Sequence, residues 1–80
     1  MVLIELEKAL ILITLKMKYS SNLVSQLINV EGVSEAALIY GPYDAYAIVE
    51  TDTKENLRNA VLQIRQLFGV HNTLTCNVIP

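Results

Sequence analysis

Apolar and polar positions along this chain fall into two alternating textures. Ala9–Leu15 (ALILITL) is almost unbroken apolar sequence, with Thr14 its one polar member. Such a run suits a strand buried on both faces better than one with a wet side. Leu23, Val24, Leu27 and Ile28 then recur at helical spacing, and Ser20 or Ser21 just before them offers a hydroxyl to the free N–H groups of a first turn. That helix is predicted to stop between Asn29 and Gly32. Val33–Tyr40 and Ala45–Thr51 both read as buried strands, separated by Tyr40-Gly41-Pro42-Tyr43-Asp44. In that turn Gly41 accepts positive φ, Pro42 fixes φ, and Asp44 can fold its carboxylate onto nearby N–H groups. Asp52 and Glu55 have the spacing of a capping box. Beyond them Leu57, Ala60, Val61, Ile64, Leu67 and Phe68 line one helical face, while Lys54, Arg58, Gln63 and Arg65 point the other way. Gly69 ends the second helix, and Val70–Ile79 is the last strand before Pro80.

Strand–helix–strand thus occurs twice, and Glu31-Gly32-Val33 after the first helix is echoed by Phe68-Gly69-Val70 after the second. The predicted fold is α+β, a ferredoxin-like βαββαβ with a four-stranded antiparallel sheet. Right-handed crossovers put the first and third strands in its centre and both helices on one face. Residues 9–80 form one domain, preceded by residues 1–8 as an arm or an extra strand. The opposite face of the sheet is left bare and apolar.

Composition sharpens this picture. Of the 80 residues, 52% are hydrophobic and only 18% charged, more apolar surface than a monomer this small hides. Self-association through the bare face, as a sheet-to-sheet dimer, is the expectation. Six Lys and Arg against eight Asp and Glu give a net charge of −2 with no basic stripe, which argues against direct DNA binding. The single Cys76 excludes an internal disulfide and reads as an inert buried thiol. Glu5 and Glu7 flank an apolar run far short of the about 20 residues a spanning helix needs. A soluble, cytoplasmic protein without a membrane segment is expected.

Chemistry-bearing residues are few. Met17-Lys18-Tyr19-Ser20 lacks the Cys-x-x-Cys of a copper carrier, and no arginine stands there for an acylphosphatase. His71 and Cys76 point to opposite sides of an extended strand and make no metal pair. No nucleophile, base and orienter converge, so no catalytic residue, metal or cofactor is assigned. Two places remain. The turn residues Tyr40, Gly41, Tyr43 and Asp44 are either a tyrosine-padded hairpin or the loop side of a small-molecule site. Thr73 and Thr75 put two hydroxyls on one side of an edge strand, as ordinary β-formers or as a grip for a polar ligand.

The order and spacing of Glu31-Gly32-Val33, Gly41, Tyr43-Asp44, Val49-Glu50 and Gly69-Val70-His71-Asn72-Thr73-Leu74-Thr75 resemble the ligand-binding (RAM) domain of the Lrp/AsnC family of transcription regulators. The resemblance runs from Ala9 to Ile79. Phe68 and Glu31 depart from it, each standing where a proline commonly precedes the glycine–valine pair. The resemblance implies a stand-alone form of that domain without the helix-turn-helix, and a non-enzymatic sensor of an amino acid or similar small molecule in transcriptional or metabolic regulation. It implies homo-oligomers, as a dimer and as an octamer or decamer of dimers, and hetero-association with full-length family members. Gly41, Tyr43 and Asp44 would face the effector, with Thr73 and Thr75 from a neighbour's last strand. The alternative is a small dimeric α+β-barrel enzyme of the monooxygenase kind, whose site would be a polar cavity between sheet and helices.

Overall fold

The computed structural model describes residues 6–17 and 22–79. Its elements follow the order β1 (Glu7–Leu15), α1 (Leu23–Ile28), β2 (Val33–Leu38), β3 (Ala45–Thr51), α2 (Lys54–Gln66) and β4 (Val70–Asn77). The strands make one antiparallel sheet in the order β2-β3-β1-β4. The first and third strands are central and the fold is ferredoxin-like, as the pattern predicts. Glu7 and Lys8, expected in a separate arm, belong to β1 and pair with Thr51 and Glu50. The rest of that arm, residues 1–5, lies outside the described residues.

Strand register sorts every side chain to one of two faces, because successive residues alternate. On the helix side, Ala9, Ile11 and Ile13 of β1 meet Ala45, Ala47 and Val49 of β3, all fully buried. Leu23 and Leu27 of α1 and Ala60 and Ile64 of α2 close over them. The small alanines on β3 let both helices sit close to the sheet. On the other face, one cross-strand row runs Ala37–Tyr46–Leu12–Leu74 and the next runs Glu35–Ile48–Leu10–Cys76. Among the described residues nothing covers these rows. A Lys8–Glu50 ion pair at 3.7 Å borders them at one end. At the other, the Asn72 N–H donates to Thr14 Oγ1 at 3.1 Å. The Tyr46 hydroxyl donates to the Glu35 carboxylate on this face. That bond and the neighbouring negative charge hold the phenol above its ordinary pKa.

Several local expectations need correction. β1 is buried on one face only, with Leu10 and Leu12 half-buried within the chain. β2 and β3 were both expected to be buried; β3 alternates strictly, whereas β2 is a largely exposed edge strand that ends at Leu38 rather than Tyr40. Likewise β4 ends at Asn77, short of Ile79. Asn22 is the N-cap of α1 and makes no side-chain capping bond; Ser20 and Ser21 lie outside the described residues. Ile28 is exposed rather than part of the buried stripe. The cap of α2 is Thr53, whose hydroxyl accepts from the Asn56 N–H at 3.0 Å, and Asp52 accepts instead from the Asn56 side chain at 2.8 Å. Phe68, counted on the core face of that helix, is 92% exposed. Cys76 is exposed on the uncovered sheet face, not an inert buried thiol.

Candidate functional site

The β2–β3 hairpin owes its shape to Gly41 and Asp44. Gly41 has φ +132°, a region that side chains rarely adopt, and a Cβ built there would meet nothing within 4 Å. Its backbone is therefore open to an approaching molecule. Tyr40 is fully exposed beside it, and Tyr43 is half-buried.

Asp44 is tied into the sheet at three atoms. Its carbonyl accepts the Ile39 N–H at 2.9 Å, closing the hairpin, and its own N–H donates to the Ile13 carbonyl at 2.9 Å. Its Oδ2 accepts the Leu15 N–H at 2.7 Å. The carboxylate thus satisfies a backbone donor where β1 runs past the end of β3, while Oδ1 takes no bond among the described residues. Asp44 thus meets a backbone N–H as its place in the turn suggests, but the donor is Leu15 of β1, distant in sequence, rather than a group of the turn itself.

Thr73 and Thr75 pair with Ile13 and Ile11 and so face the helix side of the edge strand β4. Ala45, next to the hairpin, stands in the same cross-strand row as Thr73 but two strands away, roughly 10 Å at the usual spacing. A single chain therefore does not bring the threonines to the Tyr40–Asp44 loop. Instead they border a cleft of about 350 Å³ between α2 and β4, together with Val61, Arg65, Val70, His71 and Asn72. Arg65 and His71 were passed over in the sequence, Arg65 as part of a solvated helix face. The available signal was its position one turn after Val61, which places it on the flank of the apolar stripe.

The polar cavity between sheet and helices that a monooxygenase-like barrel calls for is not present among the described residues. Ile11, Ile13, Leu23, Leu27, Val49 and Ile64 fill that space, each with essentially no exposure. A second open cleft, about 370 Å³, lies by the Gly32 turn and the start of α2, where Glu31, Glu50 and Asp52 meet carboxamides of that helix. No helix of the described residues is long and apolar enough to cross a membrane.

Fold and hairpin together define the class, a ferredoxin-like α+β sandwich with one sheet face open among the described residues. No protein-family model matches the sequence, and no curated protein matches it. Solved structures do. FFRP-DM1 is 30% identical, with 91% of this chain and 99% of that one covered and a TM-score of 0.82. E. coli AsnC shares the fold at 20% identity and a TM-score of 0.79, over 92% of this chain and 51% of AsnC. The feast or famine regulatory protein from M. tuberculosis, complexed with L-methionine, shares it at 17% identity and a TM-score of 0.76, over 92% of this chain and 50% of that one. The chain spans nearly all of FFRP-DM1 and about half of the other two. It belongs to the Lrp/AsnC family, the feast or famine regulatory proteins, and has the fold of their RAM domain.

Proposed function

We propose that this chain is a non-enzymatic, self-associating effector module that senses an amino acid or a similar small molecule in regulation. The observation that carries the reading is the 30% identity to FFRP-DM1 across 99% of that protein. The L-methionine bound by the M. tuberculosis protein supports an amino acid as the ligand class. In this reading two copies pack their open sheet faces together, and further dimers bring a neighbour's Thr73 and Thr75 toward the hairpin loop. An amino acid is a zwitterion, so its site must offer an anion and hydrogen-bond donors together. The free oxygen of Asp44 receives the α-ammonium, the Gly41 backbone approaches the ligand, Tyr40 and Tyr43 shape the pocket, and the threonine hydroxyls donate to the carboxylate.

A thermal-shift screen of the twenty amino acids tests this. Ligand at about 100 times its dissociation constant stabilises a folded site by ~2.7 kcal/mol, worth several degrees in a domain of this size. At least one amino acid is expected to raise the transition. Asp44→Ala is expected to weaken that response but also to release the Leu15 N–H, lowering the ligand-free transition. Asp44→Asn keeps an acceptor for Leu15 and removes the charge, so it should spare the fold while losing the response. A flat screen, or an Asn variant that responds undiminished, overturns the amino-acid assignment.

The same reading assigns no DNA contact to this chain. Both helices pack on the sheet, and six Lys and Arg scattered among eight Asp and Glu form no basic stripe to neutralise a run of phosphates. A gel shift with duplex DNA at moderate salt is expected to show no complex tighter than micromolar; a salt-sensitive complex below that would contradict it.

A further inference from the structure

The geometry points to an anion-binding site in the cleft between α2 and β4, built to hold the oxygens of a carboxylate or phosphate group. This inference shares Thr73 and Thr75 with the effector reading and otherwise stands apart from it, because it needs neither the hairpin loop nor a neighbouring copy.

The cleft, about 350 Å³, has Val61 and Val70 at its floor and polar groups at its rim. Val70 is buried and Val61 packs against the core, so the floor is fixed by the fold rather than by surface side chains. Arg65, Thr73 and Thr75 supply the rim's side-chain donors. Arg65 brings five N–H groups on a planar fork that matches two anionic oxygens at once. Thr73 and Thr75 bring two hydroxyls, held two residues apart on the same side of a strand. His71 and Asn72 complete the lining, although Asn72 pairs with Thr14 and so directs its own side chain to the open face of the sheet.

Charge in the cleft has one sign. Among the described residues no aspartate or glutamate lines it, and Arg65 enters no ion pair. An opposing effect has to be weighed. Arg65 sits in the last turn of α2, where the helix dipole places roughly half a negative charge. The full charge of a guanidinium exceeds that, and those last carbonyls also favour a cation held beside them. The one full charge lining the cleft is thus positive, although the whole chain is acidic.

β4 reinforces the site from below. It is an edge strand, paired to β1 on one side only, so alternate backbone N–H groups along it have no strand partner. An anion lying against Thr73 and Thr75 meets side-chain and backbone donors together. The polar cleft at the start of α2 is the counter-example within the same molecule: it has similar size but three carboxylates on its rim, and it repels the same ligand.

Isothermal titration calorimetry of the full chain at constant ionic strength tests the inference, with inorganic phosphate in one arm and acetate in the other. Saturable binding of one anion per chain is expected in at least one arm, and the tighter arm identifies whether phosphate or carboxylate is the natural partner. Arg65→Gln should weaken that binding at least 10-fold, and Thr75→Val several-fold, with melting curves showing both variants folded. Arg58→Gln, which removes an exposed arginine of α2 outside the cleft, should bind like the parent. If Arg65→Gln does not fold, Thr75→Val alone decides. No saturable heat with either anion overturns the site, as does an equal loss in Arg58→Gln, which would reduce the effect to overall charge. Because both readings use Thr73 and Thr75, the two are separated by Arg65 and Asp44: Arg65→Gln should lose the anion and keep the amino-acid response, and Asp44→Asn should do the reverse.

Discussion

Changing Leu12 to aspartate is expected to leave monomers at concentrations where the proposed sheet-to-sheet dimer of the parent chain would form. Leu12 stands at the middle of the uncovered face, with Tyr46 on one side and Leu74, 46% exposed, on the other. Ile48 and Leu10 make the adjacent row. Two such rows per copy give a self-complementary apolar patch, and a standard interface removes roughly 1,600 Å² in total from water. At about 25 cal/mol per Å² the gross gain is large enough to exceed the costs of association. The Lys8–Glu50 pair on the border is partly solvated, and contributes at most about 1 kcal/mol. It restricts how two faces align more than it holds them together. An aspartate at position 12 would bury an unpaired carboxylate once per copy, hence twice in a twofold dimer. Even ~2 kcal/mol for each weakens association by roughly 1,000-fold. The monomer fold should survive, since Leu12 does not face the helices. Light scattering at micromolar concentration checks both halves. A parent chain that runs as a monomer, or a Leu12→Asp variant of undiminished mass, would end the idea.

The topology was legible because each periodicity was carried by residues whose role is local. Ile11, Ile13, Ala47 and Val49 announce strands, and Leu57, Ala60 and Ile64 announce a helix, whatever the rest of the chain does. What misled were residues whose fate depends on where an element stops. Phe68 continues the 3.6-residue stripe from Ile64, but α2 ends at Gln66 and Leu67 already has ψ 140°. The phase is lost there, and Phe68 swings out to solvent. Ile28 lies five residues after Leu23, about 140° around the axis, and a helix this short turns only one narrow face inward. The run Ala9–Leu15 hides a subtler problem. Its unbroken apolar character was read as two covered faces, yet in one chain only Ala9, Ile11 and Ile13 are covered. A sequence does not say whether the second cover is its own helix or another molecule.

The candidate site was legible in part for a similar reason. Gly41 needed only its own freedom at φ to be singled out, and the structure places it at φ +132°. Asp44 was recognised as a side chain able to meet backbone N–H groups, but its partner, Leu15, is far away in sequence and reachable only once β1 and β3 are paired. Thr73 and Thr75 were correctly placed on one side of β4. Their cleft partner Arg65 was not found, because helix and edge strand approach each other through α2 packing that no local pattern encodes. Cys76 was misjudged by the same logic as Leu12: position in an apolar strand says nothing about which face it occupies.

Ile11 and Leu12 are neighbours in sequence and opposites in the fold, which makes Ile11→Ala the sharpest test of the core. Ile11 is fully buried in the middle of β1, between Ala47 and Thr75. Both flanking positions carry small side chains, and neither can expand into the space an alanine would leave. Truncation of a buried isoleucine of this kind costs about 2–5 kcal/mol. Small domains have total stabilities of only about 5–15 kcal/mol, and each 1 kcal/mol moves the transition of a chain this short by roughly 4–8 °C. A drop of at least about 10 °C is expected, with part of the population unfolded near body temperature. Because dimerisation would couple stability to protomer concentration, melting curves at two concentrations a decade apart separate the faces. Ile11→Ala should lower both curves and keep the gap between them, whereas Leu12→Asp should close the gap. A loss below 1 kcal/mol for Ile11→Ala, or a gap unchanged in Leu12→Asp, would mean that the two sides of β1 have been assigned the wrong way round.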